Sequence, residues 1–329
     1  MTRWPNKTSC EEADVVYVPF LTCQVGEDDA ANKAWLELDR DTEKLLPFVK
    51  TKPHLIVLAR TEWISRQFDK KSMGHLLDRD HKYNFTYTTI EVFNQVWKDR
   101  TGPRNVISVP HPTFLHFHEG MAPEAFDAGV LTARKTRLAI ETFYARFDFR
   151  KRLKAACEKV PHLCLDLPFD YWHQNNPKVV KQWMDETANS WFCLNPTGDM
   201  PTRKSTVDCL MAGTIPVVFD YWVPHTFFFG DVINATDVLI YIDQSKLEKD
   251  PMALFEYLGN IPVADRLRML QNIYKWRQVF NYSLTPKGGD IRFDNLRELQ
   301  PGDDGFTFVL KAVVRNMCDR KLIGGNKCP

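Results

Sequence analysis

The chain has 329 residues, 44% hydrophobic and 26% charged, a composition typical of a folded protein with more than one core. Lysine and arginine total 43 against 42 acidic residues, which excludes a general electrostatic attraction to nucleic acid or anionic membranes. No run approaches the roughly 18 apolar residues of a membrane span, and no Cys-x-x-Cys pair indicates a zinc site.

The first third of the chain predicts alternating strands and helices. "ADVVYVPF" from Ala13 and "HLIVLAR" from His54 are β-branched runs typical of buried strands, and the stretch between them has apolar residues at helical spacing. "TTIEVFN" and "RNVISVPHP" continue this pattern as far as Pro112. Strands that alternate with helices predict a parallel sheet covered on both faces.

An irregular segment, 114–133, with scattered His, Glu, Gly and Pro residues predicts a connector between two domains. A second alternating series follows, from "LAIETFYARF" through the basic helix "FRKRLKAACEKV" to the strand "DVLIYI" and one long helix ending at Trp276. We therefore predict an α/β fold with two domains, 1–125 and 126–290, followed by a C-terminal tail and helix, 291–329.

The stretch "NPTGDMPTRKSTVDCLMAGTIPVVFD" changes from a turn, through a basic pair, to an apolar run. It follows a short predicted strand, and Gly198 in the turn supplies backbone dihedrals that other residues rarely adopt. Thr202 is the predicted N-cap of a helix that Gly213 ends. The stretch therefore predicts a loop and a helix that connect two buried strands.

Cations in the first turn of this helix indicate a bound anion. Arg203, Lys204 and Ser205 form the predicted turn, where the helix dipole is already positive. A phosphate there would receive backbone N–H groups and the forked guanidinium of Arg203, at the carboxyl end of a parallel strand. Asp208 can accept hydrogen bonds from ribose hydroxyls, so the motif predicts a nucleotide site. The alternatives are a solvated basic turn and a helix-surface aspartate.

The eight cysteines are widely spaced and leave their pairing open. Buried free thiols are the alternative to bridges, and we favour free thiols for Cys193 and Cys209 because both lie in apolar segments. Three other pairs are close enough in sequence for small-loop bridges, namely Cys10 with Cys23, Cys157 with Cys164, and Cys318 with Cys328.

Glycosylation sequons favour a secretory lumen. The start of the sequence has no apolar signal core, so we expect either a cytosolic protein or a longer native N-terminus on a lumenal protein. The Asn-x-Ser/Thr sequons are at Asn6, Asn84, Asn234 and Asn281.

The stretch "FCLNPTGDMPTRKSTVDCLMAGTIPVVF" resembles the signature of the exostosin-type glycosyltransferases, glycosyltransferase family 47. That signature has a Gly-Asp, a Thr-Arg-Lys or Thr-Arg-Arg and an Ala-Gly-Cys-Ile-Pro-Val run in this order. "HLIVLARTEWISRQFD" is similar to a first-domain segment of the family, "SVPHPTFLH" to its Pro-Tyr-Pro segment, and "NIPVADRLRMLQNIYKW" to its closing helix. Among its branches, the sequence most resembles the plant xyloglucan galactosyltransferases.

The resemblance implies a GT-B fold, in which an acceptor-side and a nucleotide-sugar-binding Rossmann-like domain face a central cleft. It implies inverting and usually metal-independent transfer from a nucleotide sugar, expected to be a UDP-sugar, to a glycan hydroxyl, without a cofactor. It also implies a Golgi-lumen enzyme, a glycoprotein of polysaccharide biosynthesis, that contacts the membrane only through an anchor absent from this sequence. The donor-binding residues it implies are Arg146, Gly198, Arg203, Lys204, Ser205 and Asp208.

Residues of both domains, mainly the first, depart from the family pattern. Pro53 stands where the family usually has an acid beside His54, Ile64 replaces an aspartate, and Thr214 replaces the usual cysteine of the second domain. A non-catalytic relative that binds glycans or nucleotide sugars through a degenerate acceptor site is therefore an alternative function.

Inverting transfer requires a base that removes the acceptor proton. Glu62 is the first candidate because it follows a predicted strand end, with His54 second, although a solvated loop carboxylate is the alternative for Glu62. Arg60 and Trp63 are the acceptor-binding candidates, since an indole ring can stack on a sugar.

Two other reaction classes are alternatives. A metal-dependent glycosyltransferase would use an Asp-x-Asp motif, which begins at Asp39 and at Asp78, but both motifs lie in charged, helix-like segments that favour a solvated face. A sulfotransferase would need a phosphate loop near the first strand, which the sequence lacks. Because the two Asp-x-Asp motifs favour a solvated face, we expect no bound metal.

Overall fold

The computed structural model describes residues 15–18, 42–46, 48–57, 83–90, 106–111, 113, 125–167, 176–198, 201–225, 227–230, 232–282, 305–323 and 328. The chain divides into two compact units. The first comprises Met1–Val109, Phe293–Leu299 and Val309–Pro329, and the second comprises Pro110–Arg292 and Gln300–Phe308.

The first unit contains a four-stranded parallel sheet in the order β1-β2-β3-β4. Consecutive residues Leu55 and Ile56 in β2 are buried, as are Phe85 to Thr88 in β3, so both faces of the central strands are covered. The strands, with one described helix that precedes β2, are β1 Val16–Val18, α1 Thr42–Leu45, β2 His54–Val57, β3 Phe85–Thr89 and β4 Val106–Ser108.

The second unit contains a five-stranded parallel sheet in the order β6-β5-β7-β8-β9. From β6 the chain crosses to the opposite side of β5 and then continues outward, so the strand order reverses between β5 and β7. Such a reversal is the switch point at which open parallel sheets bind ligands, beside the carboxyl ends of the strands. The strands are β5 Arg137–Glu141, β6 Cys164–Asp166, β7 Ser190–Asn195, β8 Ile215–Val218 and β9 Ile240–Tyr241.

The described helices of the second unit precede, connect or follow these strands, and two of them start at residues with strong capping preferences. Asp127 accepts from the Val130 amide at 2.9 Å, and Asn176 accepts from the Lys178 amide ahead of a helix with Pro177 in its first turn. The helices are α2 Ala128–Arg134, α3 Asp148–Lys159, α4 Pro177–Ala188, α5 Lys204–Met211, α6 Trp222–His225, α7 Ala253–Asn260 and α8 Val263–Trp276. Helix α9, Gly305–Asp319, begins in the second unit and ends in the first.

The long closing helix predicted from the sequence is two helices, and that prediction was wrong. Pro262 separates α7 from α8 because its ring lacks the N–H that a continuous helix needs. The Arg266 guanidinium donates to the carbonyls of Leu258, Gly259 and Ile261 at 3.1, 2.8 and 2.9 Å, and so satisfies the end of α7.

A buried lysine fastens the amino edge of the second sheet. Lys135, at the end of α2, is 7% exposed, and its ammonium donates to the carbonyls of Ser190 and Gly213 at 2.7 and 2.8 Å and to Thr214 Oγ1 at 3.1 Å. Thr214 Oγ1 in turn donates to the Thr187 carbonyl at 2.6 Å. One ammonium therefore connects the start of β7 with the turn that precedes β8.

Strand β7 is buried along its whole length, and it is joined covalently to helix α5. Cys193 and Cys209 form a disulfide that packs against Ile140 in the core. The prediction of free thiols at these positions was wrong, because helix α5 folds back on the strand that precedes it. Two of the predicted bridges, Cys157–Cys164 and Cys318–Cys328, are present, and Cys10 with Cys23 lie outside the described residues.

The predicted α/β fold class, with two Rossmann-like units as in GT-B glycosyltransferases, is confirmed by the two parallel sheets. Within the part of the chain that the structure describes, no helix combines the length and apolar character needed to cross a membrane.

Candidate functional site

The candidate site lies at the carboxyl ends of β5 and β7, on either side of the switch point in the second sheet. Residues 142–147 follow β5, and residues 196–203 lead from β7 to helix α5. Five of the six predicted donor-binding residues lie in the segment 198–208, and Arg146 lies in the loop after β5.

Arg150, in helix α3, holds the loop after β7 in place. It is only 5% exposed, and its guanidinium donates to the carbonyls of Thr197 at 3.0 Å, Pro196 at 3.4 Å and Tyr144 at 3.1 Å. The same side chain therefore ties the loop after β5 to the loop after β7. Sequence reasoning missed Arg150 because one arginine within the basic helix "FRKRLK" gives no sign that it alone is buried.

Space rather than backbone dihedrals favours glycine at position 198. Its φ is not positive, contrary to the sequence prediction, whereas a side chain at this position would collide with the Arg150 guanidinium and approach Arg203. The glycine thus allows two cationic side chains to lie beside the same turn of backbone.

Helix α5 begins at Lys204, with Arg203 as its N-cap in an extended conformation, φ −144° and ψ 151°. The prediction of Thr202 as N-cap was wrong by one residue, because Arg203 is still extended. Arg203 makes no side-chain capping bond and is half-buried, and its Nη1 donates to the Pro196 carbonyl at 3.2 Å. The guanidinium therefore lies over the loop rather than away from it.

The predicted end of this helix is confirmed. Gly213 has a φ of +68°, its amide donates to the Leu210 carbonyl at 3.1 Å, and the Thr214 amide donates to the Cys209 carbonyl at 2.9 Å. This is the Schellman arrangement that glycine favours at a helix C-terminus.

Lys204 and Asp208 form an ion pair one helical turn apart. Lys204 Nζ lies 2.9 and 3.1 Å from the two carboxylate oxygens, and Thr113 Oγ1 donates to Asp208 Oδ1 at 2.7 Å. Burial lowers the pKa of Lys204, and Asp208 only partly opposes that shift. The structure therefore brings the basic pair and Asp208 together, and adds Thr113, whose distance of 95 residues hid it from sequence analysis.

Ser205 fastens the helix to the end of the preceding strand. Its hydroxyl donates to Asn195 Oδ1 at 2.5 Å, and Asn195 Nδ2 donates to the Cys193 carbonyl at 2.9 Å. Asn195 is 2% exposed. Ser205 thus fixes where the first turn of α5 lies relative to β7.

His111 lies close enough to this first turn to respond to its charges. Burial, Lys204 and Arg203 together lower the pKa of His111 to about 4, so its imidazole is neutral at physiological pH. Its Nε2 is buried without a hydrogen-bond partner among the described residues. The sequence places His111 in "SVPHPTFLH", but nothing in that segment indicates its proximity to residues 203 and 204.

A pair of carboxyl groups lies at the carboxyl ends of β5 and β6. Glu141 is fully buried, and Lys154 Nζ contacts both its Oε1, at 3.3 Å, and Asp166 Oδ2. Burial, reinforced by Asp166, raises the pKa of Glu141 to about 8, so the side chain is largely protonated at neutral pH. The Phe143 amide donates to Glu141 Oε2 at 3.2 Å, which fixes the start of the loop after β5.

Arg146 is exposed in this loop. Its guanidinium carbon lies 5.5 Å from the centroid of the Phe147 ring, and its amide donates to the Tyr144 carbonyl at 2.9 Å. Arg146 thus lies at the same edge of the sheet as Arg203, as the predicted donor role requires.

His54 lies at the opposite edge of its own sheet from the usual ligand position. It is the first residue of β2, is 1% exposed, and its Nδ1 lies 2.8 Å from the Lys52 carbonyl. Burial lowers its pKa. Its surroundings give the predicted base role no support. The other first-domain candidates, Arg60, Glu62 and Trp63, lie outside the described residues, as do the Asp-x-Asp motifs at Asp39 and Asp78.

The family model described as the Exostosin GT47 domain matches residues 6–258, more than half of this chain. The chain belongs to the exostosin GT47 family of glycosyltransferases. The match begins in the first unit and continues through the second as far as helix α7, so it includes the loop and helix of the candidate site.

Two relatives in Arabidopsis thaliana show where this exostosin protein lies within the family. Xyloglucan-specific galacturonosyltransferase 1 is 30% identical over 229 residues, 64% of this chain and 32% of the relative. Xyloglucan galactosyltransferase XLT2 is 24% identical over 331 residues, 94% of this chain and 60% of the relative. The chain thus spans less than two thirds of either relative, and the predicted resemblance to the xyloglucan branch is confirmed.

Solved structures show a more distant likeness. Anabaena Alr3699/HepE in complex with UDP has 10% identity to this exostosin protein and a TM-score of 0.45, over 82% of this chain and 75% of that chain. The lipopolysaccharide glycosyltransferase WaaG has 12% identity and a TM-score of 0.38, over 79% and 81%. At these TM-scores the family assignment rests on the sequence matches alone.

Proposed function

We propose that this protein is an inverting glycosyltransferase that moves a sugar from a nucleotide-sugar donor, expected to be a UDP-sugar, to a hydroxyl of a glycan. One observation carries the proposal beyond family membership. The N-terminus of helix α5, which begins directly after Arg203, follows the carboxyl end of β7, beside the switch point of a parallel sheet. Backbone N–H groups, the helix dipole and a guanidinium there suit a diphosphate.

Some donor-site residues are proposed to contact the diphosphate, and others hold the contacting residues in position. Arg203 and Arg146 are proposed to balance the charge that develops on the leaving diphosphate, which is the largest electrostatic demand of the reaction. Lys204 adds a third cation whose position is fixed by Asp208. Gly198 leaves room for the guanidinium groups, and Ser205 fixes the helix start. A ribose contact by Asp208 stays a prediction from the sequence.

The acceptor side is proposed from the sequence motif. Glu62 is the proposed base, and Arg60 and Trp63 are proposed to contact the acceptor. No metal or other cofactor is assigned to the reaction. Transfer should therefore survive EDTA, and loss of activity with recovery on adding manganese would favour the Asp-x-Asp alternative instead.

The compartment proposed is the Golgi lumen, as part of polysaccharide biosynthesis. Three disulfides in the described residues support an oxidising compartment, because thiols in the cytosol are kept reduced. Exposure of the Asn234 sequon agrees with a glycoprotein.

The proposal is tested by incubating the purified protein with xyloglucan oligosaccharides and UDP-galactose or UDP-galacturonic acid, the sugars and acceptor named for its relatives. We expect UDP release and an acceptor product with inverted anomeric configuration. Thermal-shift measurements with UDP, GDP and a wider panel of nucleotide sugars show whether a different donor is used. Absence of any shift across that panel, together with absence of transfer, would overturn the proposed function.

A further inference from the structure

His111 has a buried polar atom that nothing in the described structure satisfies. Its Nε2 lacks a hydrogen-bond partner there, although buried polar atoms in proteins are nearly always bonded. An unsatisfied buried group of this kind points to a ligand, since leaving it unpaired is unfavourable.

The segment that carries His111 is fastened by one residue before it and one residue after it. The Tyr282 hydroxyl donates to the Pro110 carbonyl at 3.0 Å, and Thr113 donates to Asp208 at 2.7 Å. Burial raises the pKa of Tyr282, so this phenol stays neutral and keeps its proton for the bond. The imidazole is therefore held beside the start of helix α5 by contacts that do not involve its own Nε2.

The charges that act on His111 come from that helix. Lys204 and Arg203 both disfavour a protonated imidazole, and Asp208, which could oppose them, is paired with Lys204. Tyr282, which is bonded to the Pro110 carbonyl, is neutral. The Nε2 of a neutral imidazole can donate or accept a hydrogen bond, according to its tautomer. An anion beside it would accept from Nε2 and would also offset the two cations that disfavour the protonated form.

We propose that His111 donates a hydrogen bond from Nε2 to the diphosphate of the nucleotide sugar, and that its imidazole takes up a proton from solvent when the diphosphate binds. The inference rests on the proposed function and adds a residue to the same site. It makes donor affinity depend on pH through one named side chain.

The sign of the coupling follows from linkage. In the free protein the pKa of His111 is about 4, and the bound anion raises it. Between these two values the complex binds more protons than the free protein, so affinity rises as pH falls. If binding restores the ordinary imidazole pKa of about 6.5, uptake at about pH 5.5 approaches one proton per site.

Two substitutions at His111 distinguish the effect of the hydrogen bond on affinity from the uptake of a proton on binding. His111→Phe removes both, and we expect it to weaken UDP-galactose binding about tenfold. His111→Tyr places a hydroxyl donor there, the residue of the family's Pro-Tyr-Pro segment, and should retain much of the affinity while losing the proton uptake. His162→Phe, in an exposed turn ahead of β6, is the matched control and should change neither quantity.

The experiment is calorimetry of UDP-galactose binding at about pH 5.5 and 7, in pairs of buffers with different ionisation enthalpies. UDP-galactose is a suitable probe because its diphosphate is a diester with no proton to exchange in this range. Wild-type uptake that is absent from both His111 variants, with their melting temperatures near wild type, would support the inference. Equal uptake, or equal affinity in wild type and His111→Phe, would overturn the role of His111 and leave the donor function standing.

A parallel titration with inorganic pyrophosphate separates the two proposals. Binding of pyrophosphate that depends on His111, without binding of UDP-galactose, would retain the anion contact and reject galactosyl transfer. If wild type binds neither ligand and none of the nucleotide sugars in the thermal-shift panel, both proposals fail.

Discussion

The half-buried guanidinium of Arg203 lies over the loop after β7, within 3.2 Å of the Pro196 carbonyl. Both the sequence pattern and the family resemblance predict Arg203 as a diphosphate contact, and its position over this loop is compatible with that proposal. Arg150 donates to the same carbonyl, so loss of Arg203 does not leave this oxygen without a donor.

Arg203→Ala should weaken binding of UDP and GDP by about ten- to a hundredfold, because it removes a charge-assisted contact to the diphosphate. Arg203→Lys should recover part of the loss, since an ammonium cannot reproduce the fork. The unfolding free energy should fall by less than about 1 kcal/mol because Arg150 remains. Calorimetry and thermal melting measure these quantities, and equal affinity in all three proteins would remove Arg203 from the site.

The protonated Glu141 predicts a particular pH dependence of stability. Its folded pKa of about 8 lies above its ordinary value, so between the two the folded state binds more protons than the unfolded state. The unfolding free energy therefore decreases as pH rises through this window, by at most about 1.4 kcal/mol per pH unit for one proton.

Glu141→Gln should flatten this slope, because the amide resembles the protonated carboxyl and does not titrate. Urea unfolding at several pH values between 5 and 8 measures the slope. Glu158→Gln is the control, since Glu158 is exposed and lies 4.0 Å from the same Lys154. A slope in Glu141→Gln as steep as in wild type would show that another group titrates.

At the scale of elements, the turn that ends helix α5 tolerates only glycine. Gly213 has a positive φ, and an added Cβ would lie 2.7 Å from a ring carbon of Tyr274 in α8. Gly213→Ala should lower the unfolding free energy by about 2 kcal/mol or more, since strain and overpacking add.

The matched control is Gly259→Ala in helix α7, where an added Cβ meets nothing within 4 Å. Because alanine is the better helix former, this variant should be neutral or more stable by up to about 1 kcal/mol. Thermal unfolding of the pair checks both signs, and equal effects would show that the position of the glycine does not matter.

Element boundaries depended on contacts that the sequence does not display. Helix α5 ends where glycine and the apolar run predict, because the signal is local. Its start was displaced from Thr202 to Arg203, and the closing helix was divided at Pro262, although a proline within a helical pattern is itself a warning. Arg150 and His111 were missed because burial and long-range proximity decide their roles.

At the scale of the whole molecule, alternation of apolar runs was sufficient to predict an α/β chain with two parallel sheets. The strand order was not predictable, because the same alternation fits several orders. The switch point between β5 and β7, which positions the candidate site, could thus be found only from the structure. The motif located the site residues in sequence, and the sheet order explains why they lie together.

The described sequons differ in how exposed their asparagine side chains are in the folded chain. Asn281 is 1% exposed, whereas Asn234 is exposed and its Oδ1 accepts from Thr236 Oγ1 at 3.0 Å. Asn84 is half-buried, and Asn6 lies outside the described residues.

Expression in a secretory host should therefore give a glycan at Asn234 and none at Asn281 in folded protein. Glycosidase treatment should change the gel mobility of the wild-type protein. The part of this change that comes from the glycan at Asn234 should be absent in Asn234→Gln, whereas Asn281→Gln should behave like wild type. A mobility step that persists in Asn234→Gln and vanishes in Asn281→Gln would contradict the exposure of these two residues.

The amino group of Lys135 couples two positions that lie far apart in the sequence. Thr214, which stands where the family usually has cysteine, supplies one of its three acceptors. Cysteine at 214 alone would leave the buried amino group with two strong acceptors, and replacing Lys135 alone would leave the carbonyls of Ser190 and Gly213 without this donor. The two substitutions should therefore be non-additive in a double-mutant cycle, because each removes a partner of the other.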